Sequence, residues 1–296
     1  MKTLETWTRV EIANVLFLTD LSPAADGAIP YVKEIVRRFG ARLYALHVRP
    51  PVINPMTEPA IWPAFERAAT AEANAQRLAL LAAFPGFKPE VMIEEGDFWK
   101  ILKSTVEKQS IDLIVLGTRG RSGAAKFFLG SRAEEIFREV PCAVLTIGPH
   151  SHTRPLQGEY TEILYATDFS PVSAEAAVYA ISLAQEFQAR MTVLHVIAEE
   201  KPGDLVRAAE LVGSGERLLR QLVPAEAEMW CEPDFVVERG PAAEKILEVA
   251  EQRKADLIVL GVRRSSGFPG AATHLLISMA HQVVRHAECP VLTVRG

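Results

Sequence analysis

Four glycines stand within fifteen residues, GTRGRSGAAKFFLGS, from Gly117 to Ser131. Glycine is costly to order, so this density marks backbone that bends sharply or approaches something closely. Three features of the stretch suit phosphate. Gly117, Gly120 and Gly130 let main-chain N–H groups turn toward an anion with no side chain between. Gly130-Ser131 opens an expected helix, SRAEEIFREV, whose unpaired amides and positive dipole end attract anions, and Ser131 adds a hydroxyl donor. Arg119, Arg121, Lys126 and Arg132 place four cations along the segment, in a chain of net charge −5. Two residues elsewhere suit the other end of a nucleotide. Asp20 can accept hydrogen bonds from a ribose or base. Val48, at the end of an expected strand, can offer main-chain N–H and C=O groups to an adenine edge.

Nothing nearby could attack phosphorus. The loop has no acid–base pair, nucleophile–base set or metal pattern beside it, and the GxxxxGK[ST] spacing is absent. An SGGxDS-like loop and a HIGH-like signature are absent too. Binding is therefore favoured over turnover.

The elements that must position these residues occur twice. NVLFLTDLSP (Asn14–Pro23) returns as EILYATDFSP (Glu162–Pro171), RLYALHV (Arg42–Val48) as RMTVLHV (Arg190–Val196), and DLIVLG (Asp112–Gly117) as DLIVLG (Asp256–Gly261). PCAVLTI and ECPVLTV close the two copies. Each copy reads as alternating strands and helices, with some strands apolar on both faces, which indicates a parallel sheet covered on both sides. The first strands are expected over Val15–Thr19 and Ile163–Thr167. Ser22-Pro23 and Ser170-Pro171 should each open a helix, the serine capping it and the proline fixing its first turn. Ligands of such sheets sit at the carboxyl ends of strands, where the strand order switches. Asp20, Val48 and the glycine loop all fall at expected strand ends. The domains expected are 1–149 and 159–296, with 150–158 as linker.

His47 and His195 lie inside apolar strands and read as buried core histidines rather than catalysts. GSGE, at Gly213–Glu216, mimics part of a dinucleotide fingerprint but falls in a helical stretch and lacks the third glycine. The balance of 49% hydrophobic and 23% charged residues is that of an ordinary globular chain. An acidic net charge argues against nucleic acid as partner. No apolar run approaches membrane-span length, and the N-terminus lacks a signal-peptide core. Three cysteines without a CxxC pair point to a reducing cytoplasm.

With these residues in view, the whole chain resembles a tandem universal stress protein. Gly117, Gly120, Gly130 and Ser131 match that family's G-2x-G-9x-G-[ST] signature, and TDLSP (Thr19–Pro23), LHV and DLIVLG fit as well. The resemblance implies two Rossmann-like α/β domains of the adenine nucleotide alpha hydrolase-like kind, each a five-stranded, mainly parallel sheet with helices on both faces. It implies ATP, or AMP or ADP, in the first copy, with Mg2+ accompanying ATP. Carried over by position, Thr19, Asp20 and Val48 meet adenine and ribose. Leu116 and Gly117 flank the sugar and α-phosphate, and Arg119, Gly120, Gly130, Ser131 and Arg132 hold the phosphates. It also implies last strands that pair across a dimer, here within one chain, with homodimers of whole chains and an unknown protein partner beyond that. The second copy departs: Arg264 stands where the first has Gly120, and Ile277 where it has Gly130. Its signature is degenerate, although Asp168 and Val196 are retained and Arg263, Arg264, Ser265 and Ser266 offer an anion another geometry. The expected function is a stress-associated adenine-nucleotide sensor or regulator, with the second copy mainly scaffold. A slow ATPase or autophosphorylating enzyme, and a protein-interaction module without nucleotide, are the alternatives.

Overall fold

Apolar runs covered on both faces become strands. In the computed structural model, which describes residues 9–23, 25–51, 62–118, 131–151, 160–198, 205–227, 231–263 and 279–296, NVLFL forms β1 (Asn14–Leu18) with its last four residues buried. There follow α1 (Ile29–Phe39), β2 (Arg42–Arg49), α2 (Trp62–Ala83), β3 (Glu90–Glu95), α3 (Phe98–Lys108) and β4 (Leu113–Gly117). These lie in one compact unit, Ile12–Ser122. Its strands run β3-β2-β1-β4, all parallel. The chain steps outward from β1 to β3, then returns to the other side of β1. The carboxyl ends of β1 and β4 therefore flank a switch point.

A second unit comprises Met1–Glu11 and Gly123–Gly296. It holds α4 (Ser131–Glu139), β5 (Ala143–Ile147), β6 (Glu162–Thr167), α5 (Pro171–Phe187), β7 (Arg190–Ile197), α6 (Leu205–Leu222), β8 (Pro233–Arg239), α7 (Ala242–Arg253), β9 (Leu257–Val262), α8 (Met279–His286) and β10 (Val291–Arg295). Strand order is β5-β10-β9-β6-β7-β8. Strands β6 to β10 repeat the parallel winding of the first copy, with the switch point between β6 and β9. Among the described residues of this unit only β5 runs antiparallel, pairing Thr146 with Val291 and Val144 with Thr293, whose hydroxyl donates to the Val144 carbonyl at 3.2 Å. The two closing strands of the copies thus cover each other's edges within one chain. Arg9 pairs with Glu186, and Val10 N–H donates to the Ser182 hydroxyl at 2.9 Å, so the segment before β1 is held on α5.

The duplication extends to small devices. Asp112 Oδ2 accepts from the N–H groups of Ala13 and Asn14 at 2.9 and 2.8 Å. Asp256 Oδ2 accepts from Thr161 N–H and Glu162 N–H at 2.8 and 3.1 Å. In both copies an aspartate just before the fourth strand therefore satisfies main-chain donors at the start of the first strand.

One expectation fails in the first copy. Ser170 caps α5 and Pro171 takes its first turn, but Ser22-Pro23 opens only a 3-10 turn, Ala25–Ala28, and α1 begins at Ile29. The Ser22 hydroxyl still accepts from Ala25 N–H at 3.1 Å. Pro30 explains the delay: it has no N–H to give a carbonyl four residues back, and its ring crowds that carbonyl, so an α-helix cannot run through from Ser22. Residues 152–158 of the expected linker 150–158, and the loop residues 119–130, lie outside the described residues. Among the described residues no helix is long and apolar enough to cross a membrane.

Gly213 and Gly215 both sit inside α6. A Cβ on Gly213 would meet nothing within 4 Å, whereas one on Gly215 would lie 3.2 Å from Val237 and 3.5 Å from His195. Gly213→Ala should therefore stabilise the protein by about 0.5–1 kcal/mol through helix propensity alone. Gly215→Ala should lose that gain to crowding. Urea unfolding of the two variants checks the difference in sign.

Candidate functional site

The carboxyl ends of three neighbouring strands, β2, β1 and β4, carry five of the residues singled out above. Thr19 and Asp20 follow β1, Val48 precedes the last residue of β2, and Leu116 and Gly117 end β4. Leu116 and Thr19 are buried, while Asp20, Val48 and Gly117 are half-buried. The unit thus exposes a carboxylate, a main-chain strand end and a glycine along one edge. Arg119, Gly120 and Gly130 lie outside the described residues. Ser131 and Arg132 open α4 in the other unit, with side chains outside the described set.

The TDLS segment is locally determined. Thr19 Oγ1 accepts from Leu21 N–H at 2.9 Å, and Asp20 Oδ1 accepts from Ser22 N–H at 2.9 Å. These side-chain bonds imitate main-chain turns. They hold Leu21 at φ 60, a left-handed conformation that a non-glycine residue adopts only when its surroundings require it. TDFS in the second copy repeats the pattern: Thr167 binds Phe169 N–H, Asp168 binds Ser170 N–H, each at 3.0 Å, and Phe169 has φ 59. His47 is 7% exposed and its Nδ1 lies 2.9 Å from the Thr19 carbonyl; His195 Nδ1 lies 2.8 Å from the Thr167 carbonyl. Both histidines are thus hydrogen-bonded to the first residue of a TD turn. Sequence patterning read both as buried, which holds for His47 while His195 is half-buried, and did not identify them as turn partners, although LHV recurring with TD was the signal that they act together.

The second copy uses its edge differently. Arg263, just past β9, reaches across the switch point and pairs with Asp168 at 3.0 Å, with both side chains largely exposed. Its guanidinium thus sits on the carboxylate whose counterpart in the first copy is Asp20. Burial raises the Asp168 pKa. The Ser170 hydroxyl and N–H, Ser173 and the Arg263 charge together outweigh that, and the carboxyl is held below its ordinary value. Tyr165 replaces Phe17 beneath this turn and donates its hydroxyl hydrogen to the Ser173 carbonyl, while burial pushes its own ionisation up. Gly261 approaches the first turn of α5 so closely that a Cβ would stand 2.7 Å from Ser173 Cα. Phe169 lies over the His195 ring, with centroids 4.4 Å apart, where the first copy has Leu21.

An aspartate with a lowered pKa favours the fold above its unfolded value, near about 3.9, and loses that contribution as pH falls through its folded value. Carboxyl NMR titration should place the Asp168 midpoint below about 3.9, and Arg263→Ala should move it upward. The exposed pair itself should contribute under about 1 kcal/mol, so unfolding of Arg263→Ala at neutral pH should differ little from the unaltered protein.

Comparison with known proteins agrees with the duplicated winding. The family model for the universal stress protein family matches residues 11–148 and again 159–295. A universal stress protein of Methanocaldococcus jannaschii is 35% identical over 144 residues, 46% of this chain and 82% of that protein. One of Mycolicibacterium smegmatis is 27% identical over 95% of this chain and 97% of its own length. The crystal structure of a universal stress protein from Archaeoglobus fulgidus covers 95% of this chain and 98% of its own, with a TM-score of 0.67 at 23% identity, which shows a shared fold. Matched twice along its length and wound twice in the same order, the chain belongs to the universal stress protein family.

Proposed function

We propose that the first copy binds an adenine nucleotide, ATP or its AMP and ADP relatives, and that the protein acts as a nucleotide-dependent sensor or regulator. The observation that carries this reading is the shared edge of β2, β1 and β4. There Val48, Thr19-Asp20 and Leu116-Gly117 flank a switch point, where parallel α/β sheets take their ligands. Asp20 Oδ1 serves the turn, and its second oxygen suits a ribose hydroxyl. The Val48 strand end suits an adenine edge. Arg119, Gly120, Gly130, Ser131 and Arg132 supply the phosphate part of the reading, which rests on their types and spacing in the sequence. Domain boundaries at 1–149 and 159–296 accompany it. The second copy serves mainly as scaffold: Ile277 disfavours the glycine conformation, and Arg263 occupies Asp168. Bound nucleotide then acts by linkage, favouring one arrangement of the loop and thereby changing the affinity for a protein partner.

Calorimetric titration with ATP, AMP and GTP tests this. Adenine nucleotides should bind with one site per chain and GTP more weakly. Gly130→Ile, which copies the second repeat, should weaken ATP binding by about 100-fold or more, as expected for a lost phosphate cradle. Undiminished binding in that variant would remove the site.

A further inference from the structure

We infer that His47 is a positioning residue of the proposed nucleotide site: its ring N–H takes the Thr19 carbonyl and sets the turn that presents Asp20. The inference rests on the reading of the first copy as a nucleotide site.

A carbonyl only accepts, so His47 Nδ1, 2.9 Å from the Thr19 oxygen, carries the hydrogen. Pairing between β1 and β2 ends at Leu18 and Leu46, and Thr19 N–H donates to the Leu46 carbonyl at 3.0 Å. In a parallel ladder the next bond would run from Val48 N–H to the Thr19 carbonyl. In the first copy the pairing stops before that bond, and the imidazole holds the carbonyl. In the second copy the pairing register runs one residue further, to Thr167 and His195, with the His195 ring on the Thr167 carbonyl as well, so the imidazole contact and the ladder bond are compatible.

The consequence falls on the turn that carries Asp20. The Thr19 carbonyl belongs to the peptide that enters Asp20. Gripped from β2, it fixes the plane from which the chain turns through Leu21 at φ 60. A strained turn of this kind persists only when its surroundings over-determine it. Three contacts do so here: the His47 ring on the Thr19 carbonyl, Thr19 Oγ1 on Leu21 N–H, and Asp20 Oδ1 on Ser22 N–H. A side-chain donor on the neighbouring strand thus fixes the turn that offers Asp20 to a ligand.

The test pairs ATP calorimetry with amide hydrogen exchange of the nucleotide-free protein, using three variants. His47→Leu removes the donor. His47→Asn restores an N–H near the Nδ1 position. His195→Leu makes the same lesion in the second copy. In His47→Leu, exchange at Leu21 and Ser22 should rise. ATP affinity should fall about tenfold or more, and His47→Asn should recover most of it. His195→Leu should lower the melting temperature as much as His47→Leu yet leave ATP affinity within about twofold. Wild-type affinity in His47→Leu, equal losses in the Asn and Leu variants, or an equal loss in His195→Leu would overturn the inference and leave the nucleotide site standing. If the unaltered protein takes up no ATP, the site reading falls, and the exchange pattern alone decides whether His47 sets the turn.

Discussion

A parallel strand that stops at a switch point leaves main-chain donors and acceptors facing a gap between its neighbours. Each such group must find a partner or remain available to a ligand. The rest of this structure follows from how those groups are handled. At the end of β1, Thr19 is held on both sides: its N–H by the Leu46 carbonyl and its carbonyl by His47. The chain then turns away within two residues, using its own threonine and aspartate as substitute partners. Only after these demands are met does Asp20 have an oxygen to spare.

The second copy meets the same demands and then diverges. The threonine, aspartate and histidine contacts return almost unchanged in distance. The difference lies in what approaches from β9. Arg263 neutralises Asp168, Tyr165 ties the turn to Ser173 from below, and Phe169 covers His195. The two copies therefore share the turn and differ in what stands at the edge beside it. Antiparallel pairing of β5 with β10 gives the duplication a structural use, because each closing strand satisfies the other's edge.

Much of this was legible in one dimension, because the signals are local or periodic. Apolar runs, serine caps and repeated TD and LHV segments mark strands, turns and copies through physics that acts over a few residues. The late start of α1 was less apparent. Ser22-Pro23 looks like Ser170-Pro171, and the deciding residue, Pro30, acts through a carbonyl four positions away.

By itself the sequence determined the two copies, their alternation of strand and helix, the glycine spacing of the first loop, and its loss in the second. All of these depend on residue type and near-neighbour chemistry. Only the tertiary structure decided that Asp20, Val48 and Gly117 share one edge, that the two histidines serve the turns rather than merely filling the core, and that Arg263 stands on Asp168. The reason is distance along the chain. His47 and Thr19 are brought together by strand pairing, and Arg263 and Asp168 by the order of strands around a switch point. Neither pairing leaves a pattern in the intervening residues.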